Sequence, residues 1–376
     1  MAKGTLPALV TVGVMAVTSL YLQPMLVGGM ISDRGFSEQQ AGFIASADLA
    51  GMALASFVAL AWLTRVGWRS AALAGLAIMA LANAATTVVF SPELFAAVRF
   101  ASGLGGGTLL AIAMVGIGHS EQADRNYAIL LVCQLLFGTL GLWASPFLLA
   151  RFGLNGAYWL LALFAVLVMA VTAAIPTIRA REASVTGTVP AQTWLACSAV
   201  LLAILLFFVE QNAVWAYSER IGNAAGLSAE YIGFSLGLAN LMGLVGAALV
   251  AWLGTRFGRL VPLCAVTVVQ VVCLAVLVGQ MGDRTFLAGM MLLAFAWNVI
   301  IPYQLGILAE IDASGRLLAL AATVTGVGLA LGPGVGALVL RGENYASINV
   351  LAGVLAIAIL VLVLPALMQI RRKAAA

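Results

Sequence analysis

Long apolar runs, separated only by short polar turns, fill this chain and leave it few ways to fold. They lie at 6–31, 38–63, 69–90, 94–118, 125–150, 155–175, 192–217, 229–253, 260–280, 285–309, 316–340 and 346–369. An α-helix needs about 20 apolar residues to cross the hydrocarbon layer. Twelve runs of that length imply an all-α integral membrane protein with twelve transmembrane helices. Of the 376 residues, 63% are hydrophobic and 9% charged, against roughly 25% charged in soluble domains. No water-soluble core hides that much apolar surface, so the surplus faces lipid. The first run, Leu6 to Met30, is too long for a signal-peptide core and lacks a small-residue cleavage site, so it is read as the first span.

Several function classes fall away. The net charge of +4 comes from dispersed basic residues, which argues against nucleic acid as a partner. Cys133, Cys197, Cys264 and Cys273 all sit in apolar runs without metal-ligand spacing, and His119 is the sole histidine. No metal site is expected. The chain shows no Gly-x-Ser-x-Gly, no His-Glu-x-x-His and no P-loop, so neither catalysis nor ATP hydrolysis is expected. No cofactor is implied, and energy would come from an ion gradient, first of all a proton gradient.

The chain reads as two halves. Its longest polar stretch, 176–191, divides residues 1–175 from 192–376, six runs on each side. A constant offset of 191 residues, the separation of Gly35 from Gly226, aligns the halves without gaps. Ser37, Gly42 and Phe43 fall on Ser228, Gly233 and Phe234; Thr64, Arg65 and Gly67 fall on Thr255, Arg256 and Gly258; Arg125 falls on Arg316. Parallel six-span repeats are an established transporter plan. Twelve basic residues, among them Lys3, Arg65, Arg125, Arg179, Arg256 and Arg371, map to one membrane side, and five (Arg34, Arg151, Arg220, Arg284, Arg341) to the other. The positive-inside rule then puts both termini and the 176–191 linker in the cytoplasm. The expected location is a cell membrane, a bacterial inner membrane in particular.

Two motifs resemble the major facilitator superfamily, over essentially the whole chain. The first is Leu63-Thr64-Arg65-Val66-Gly67-Trp68-Arg69, similar to the family's cytoplasmic loop at Arg65, Gly67 and Arg69. Thr64 replaces the acidic residue that helps latch the family's halves together, and Thr255 does so in the second copy, Thr255-Arg256-Phe257-Gly258-Arg259. The second is Arg99-Phe-Ala-Ser-Gly103-Leu-Gly105-Gly106-Gly107, similar to the fourth-span motif whose arginine is linked to proton coupling. A run in span 11, Gly328-Leu-Ala-Leu-Gly332-Pro333-Gly334-Val-Gly336, resembles the Gly-x-x-x-Gly-Pro motif that antiporters carry in span 5. The resemblance implies two six-helix bundles that transport a small solute by alternating access.

Asp48, Arg99 and Glu210 are the ionisable residues well inside the expected spans. Charge is costly there and marks function or a buried pair. Carboxylates whose surroundings change between two conformations can carry protons, so these three are the proton-coupling candidates, with an Asp48–Arg99 structural pair as the plainer reading. Polar and aromatic groups nominate the solute cavity: Tyr21, Gln23, Gln134, Gln211, Trp215, Asn240, Trp297, Asn298, Tyr303 and Gln304. Arg65, Gly67, Arg69, Arg125, Arg256, Gly258, Arg259 and Arg316 form a candidate cytoplasmic gate. The resulting expectation is a monomeric secondary transporter working by proton-coupled uptake of a small organic solute. Efflux by the same fold is the near alternative, and an intramembrane enzyme or a transport-like sensor the distant one.

The topology is testable by labelling single cysteines from each side of the membrane. Cysteines placed in 176–191 should react only from the cytoplasm, and those beside Arg34 or Arg284 only from outside; external labelling of the linker would overturn the orientation.

Overall fold

The computed structural model describes residues 4–63, 65–175, 194–278, 281–312, 316–342 and 344–375. Among these, helix dominates; two isolated bridges, Arg256 with Gly258 and Arg341 with Asn344, occur, and no strand forms. The expected linker 176–191 lies outside the described residues. The chain divides into two compact units, Met1–Glu182 and Ala183–Ala376.

The first unit opens with three short helices, α1 (Thr5–Ala16), α2 (Thr18–Tyr21) and α3 (Gln23–Ser32). The sequence suggested one continuous span at 6–31. The ladder breaks at Val17 (φ −108°, ψ 12°) and at Leu22 (φ −90°, ψ 2°), where ψ near zero leaves the α region. Pro24 follows the second break and contributes no N–H. Then come α4 (Glu38–Trp62), α5 (Trp68–Thr86), α6 (Pro92–Gly118) and α7 (Ala123–Met169). The second unit holds α8 (Trp194–Ala224), α9 (Ala229–Leu253), α10 (Leu260–Val276), α11 (Asp283–Ile311), α12 (Arg316–Val339) and α13 (Ala346–Ala375). Nine stretches of the described helices are long and apolar enough to cross a membrane.

The repeat is visible in local chemistry. Gly35 (φ +69°) and Gly226 (φ +79°) take the left-handed conformation that side chains disfavour, and each turns the chain into a capped helix. Two residues later, Ser37 Oγ accepts from the Gln40 amide at 3.1 Å, and Ser228 Oγ from the Tyr231 amide at 3.2 Å. In return Gln40 Oε1 accepts from the Ser37 amide, closing a capping box.

α7 contains two of the expected spans, 125–150 and 155–175, joined at Gly153 (φ 62°, ψ −174°). The second limb starts like a new helix, because Asp33 Oδ2 accepts the Leu154 amide at 2.7 Å. Pro146 in the first limb leaves the Leu142 carbonyl without its helical donor, and Ser145 Oγ supplies one at 3.0 Å.

Packing follows one scheme in both units. In the first, α6 packs on α1, α4 and α5, and α7 on α1 and α5. In the second, α11 packs on α8, α9 and α10, α12 on α8, and α13 on α10. The α4–α6 contact is made backbone to backbone. A Cβ on Gly103 would stand 1.8 Å from the Asp48 carbonyl oxygen, on Gly107 2.1 Å from that of Met52, and on Gly51 2.1 Å from that of Phe100. Small residues allow such approach between helices where hydrophobic driving force is absent. The apolar stretches of the last helical limb in each unit stay open: Leu160, Leu163, Val166 and Leu167 on α7, and Val354, Ile357 and Val361 on α13, are exposed.

Gly103→Val should therefore drive α4 from α6 and lower stability by roughly 3 kcal/mol. Gly353→Ala meets nothing within 4 Å, and should be neutral or stabilising by up to about 1 kcal/mol. Thermal unfolding of the detergent-solubilised protein measures both. Equal melting of Gly103→Val and wild type would show that this backbone contact does not hold the pair together.

Candidate functional site

In the first unit Arg99 is the centre. It lies on α6 with 2% of its surface exposed. Its Nη2 donates to Asp48 Oδ2 on α4 at 2.7 Å and to Ser19 Oγ on α2 at 2.9 Å. Its Nη1 donates to Asn83 Oδ1 on α5 at 2.7 Å. The guanidinium carbon stands 4.9 Å from the ring centroid of Tyr158 on α7, within cation–π range. The arginine motif explains this geometry. Gly103 follows Arg99 by one helical turn on the same face, and the gap it leaves admits α4 at the level of Asp48.

Beside this cluster is a cavity of about 20 Å³ lined by Ser19, Gln23, Asp48, Arg99 and Tyr158 among others. That is room for about one water molecule, not for a solute. Gln23 is buried on its wall, and its Oε1 has no hydrogen-bond partner among the described residues. Gln134 does something else: its Nε2 donates to the Gly13 carbonyl at 2.9 Å, tying α7 to α1. Tyr21 is half-buried on α2.

In the second unit Glu210 lies on α8 with 1% exposure. Gln270 Nε2 on α10 donates to its Oε1 at 2.6 Å, and its Oε2 meets no donor among the described residues. The repeat places Ser19 at the position of Glu210. One half thus sets a hydroxyl against a cation where the other sets a carboxyl against an amide.

The glycine–proline run of α12 works as a packing surface. Cβ atoms on Gly328 and Gly332 would come within 2.8 Å and 2.9 Å of the Leu205 and Val209 carbonyl oxygens of α8. Pro333 deprives the Leu329 carbonyl of its helical donor, and Asn212 Nδ2 of α8 fills that place at 2.7 Å.

The remaining cavity residues of this half divide into two sets. Trp297 packs edge-on against Phe207 and Phe208, at 6.3 and 5.9 Å between centroids. Asn298 Nδ2 donates to the Ala294 carbonyl of its own helix at 3.0 Å, and Tyr303 Oη to the Gly254 carbonyl at 3.0 Å. These groups close backbone acceptors. Asn240 Nδ2 and both amide atoms of Gln304 are buried without partners among the described residues. Gln211 is buried and Trp215 half-buried, on α8 after Glu210.

Of the gate residues, Arg65, Arg69, Arg125 and Arg256 are exposed, Gly67 is half-buried, and Gly258 is exposed with φ +67°. Arg125 Nη1 donates to Gln122 Oε1 at 3.0 Å, and Arg256 lies 5.6 Å from the Trp252 ring. Arg259 pairs with Glu310, joining the start of α10 to the end of α11. The repeat places Trp68 and His119 at the same two positions, where their rings meet at 5.9 Å. Thr64 and the Arg316 side chain lie outside the described residues.

Sequence reading named Asp48, Arg99 and Glu210 but missed Ser19, Asn83, Tyr158 and Gln270. Asn83 and Gln270 did leave a signal, each being the one amide side chain of a mostly apolar helix.

Removing one partner of a buried pair leaves the other charge uncompensated, at a cost of roughly 3–5 kcal/mol. Asp48→Leu should lower the melting temperature sharply, whereas Asp48→Leu with Arg99→Met should recover most of the loss. A double-mutant cycle read by thermal unfolding checks this; additive losses would mean that the two side chains do not act as a pair.

A family model described as Major Facilitator Superfamily matches residues 8–312. A search of curated proteins by sequence finds no match. Solved structures of transporters match the fold. A nucleoside transporter, NupG, aligns at 11% identity with TM-score 0.75 over 97% of this chain and 99% of its own. A D-xylose–proton symporter aligns at 13% identity with TM-score 0.74 over 95% and 96%. A peptide transporter, POT, crystallised with sulfate, aligns at 14% identity with TM-score 0.75 over 98% and 95%. The helical architecture, the arginine-centred cluster and the family match lead to one assignment: this chain is a multi-pass membrane protein of the major facilitator superfamily, with that family's transporter fold.

Proposed function

We propose that the protein is a secondary active transporter that takes up a small organic solute together with protons, by alternating access. The observation that carries this reading is Glu210, a carboxyl group 1% exposed, held on one oxygen by Gln270 and unmet on the other. A buried charge without a cation is costly, and a proton bound at Oε2 removes that cost. A transport step that rehydrates Glu210 or brings it a cation would release the proton. Asp48 has its counter-ion in Arg99 and serves as a fixed charge or as a second proton site. Similar folds include a D-xylose–proton symporter and proton-dependent oligopeptide transporters, which supports coupling to protons. The energy source in this reading is the proton gradient; ATP, cofactor and nucleic acid play no part. The protein acts as a monomer in the cell membrane, a bacterial inner membrane in particular, with both termini cytoplasmic. Arg65 and Arg256, exposed on matching turns, bias the inward–outward equilibrium without touching solute.

Proteoliposomes with an imposed pH gradient, screened with nucleosides, pentoses and short peptides, test the reading. One proton per solute across a one-unit gradient supports up to about tenfold accumulation. Glu210→Gln should still fold and exchange solute, yet accumulate none. If it concentrates solute with wild-type pH dependence, Glu210 is not the coupling residue; if no proton gradient drives uptake in wild type, the coupling itself is wrong.

A further inference from the structure

A second cavity, of about 230 Å³, lies in the first unit between α3 and the two limbs of α7. It is distinct from the space beside Arg99, although Leu26 lines both. Its walls are hydrocarbon. Met25 comes from α3, Leu148 and Leu161 from the two limbs, and Phe137 and Phe164, one from each limb, stack on each other in its wall, 5.3 Å between centroids at 12°. Ser145 is the polar residue on the wall, and its hydroxyl is already bonded to Leu142.

Such a wall has nothing to hold water. An apolar cavity of about 150 Å³ already stays dry and takes up benzene. Pockets that enclose a whole drug-sized ligand begin at about 300 Å³, so this one accommodates a hydrocarbon segment of a larger molecule. Leu160, on its wall, is 42% exposed, which opens the cavity to the surface. Nearby on α7, Phe147, Leu163 and Leu167 are each more than half exposed. In a membrane protein that surface meets acyl chains.

Charge supplies an independent observation. Arg151 follows Leu148 by three residues, which places both on one side of the helix. It is exposed, it lies 5.8 Å from the Phe152 ring, and no carboxylate pairs with it among the described residues. The limb ends two residues later at Gly153. A cation at the end of an apolar helix, one turn beyond a hydrocarbon-lined cavity, matches a phosphate joined to an acyl chain.

We propose that this cavity is a phospholipid site, with one acyl chain between α3 and α7 and the lipid phosphate on Arg151. The lipid completes the packing of the two α7 limbs and stands apart from the transported solute. The test uses the full chain in detergent, incubated with dioleoyl phosphatidylglycerol, delipidated by size exclusion and assayed for retained lipid by mass spectrometry. Wild type should retain it. Ala157→Phe and Leu148→Phe fill the cavity from either limb and displace at least two buried methylenes, so each should retain roughly tenfold less. Using both keeps the test decisive if one fails to fold. Arg151→Gln should lose retention too, and dioleoylglycerol, which lacks the phosphate, should bind wild type poorly. Full retention by folded cavity-filled variants would overturn the proposal. So would indifference to Arg151→Gln, which would leave a hydrocarbon site alone. Normal lipid retention with lost solute uptake would assign the cavity to the solute instead.

Discussion

One guanidinium reaches four other helical segments of the first unit. Arg99 reaches α2 through Ser19, α4 through Asp48, α5 through Asn83 and α7 through Tyr158, from its own place on α6. Arginine suits this task because its donors are fixed in a plane and its charge is permanent. The cluster depends on close approach: the Asp48 carbonyl presses where a Gly103 side chain would be, so the carboxylate and the cation meet without a long reach. Desolvating both charges is expensive. Neutral donors and acceptors around them reduce that expense, and the need for them fixes how each helix is rotated about its own axis.

Rotation is what the sequence did not disclose. Apolar runs and the matching Gly35 and Gly226, Ser37 and Ser228 positions of the repeat were readable because each depends on a few adjacent residues. Asp48, Arg99 and Glu210 were readable because charge inside an apolar run is costly and marks either function or a buried pair. Ser19 was not, since a single hydroxyl in a span is common; Asn83 and Gln270 stood out as isolated amides, but their partners depend on which way the helix faces. Nor did the sequence disclose the partners of Gln134 and Tyr303, read as cavity walls. They close the carbonyls of Gly13 and Gly254, tertiary bonds between segments far apart in sequence. The break at Gly153 was legible, since it falls between the expected spans 125–150 and 155–175, but its support by Asp33, more than a hundred residues earlier, was not.

Proline accounts for further polar placements. Each proline inside a helix frees one carbonyl a turn earlier, and in hydrocarbon that acceptor has no water to turn to. Ser145 answers Pro146, and Asn212 answers Pro333 from another helix. The α12 run that resembled an antiporter signature is thereby explained by packing on α8: glycines admit the neighbouring backbone, and the neighbour returns a donor. Polarity in these spans repeatedly serves the backbone.

The two halves also show how one scaffold position can change its physics while keeping its geometry. Trp68 and His119 hold the foot of α5 against the end of α6 by ring contact; Arg259 and Glu310 hold the foot of α10 against the end of α11 by charge. The Glu310 side chain is 44% exposed, so mobile ions reach that tie and screen it. Ring contact is indifferent to them. The two halves, alike in fold, therefore differ in their sensitivity to ionic strength, and electrolyte loosens the foot of the second half while leaving that of the first in place.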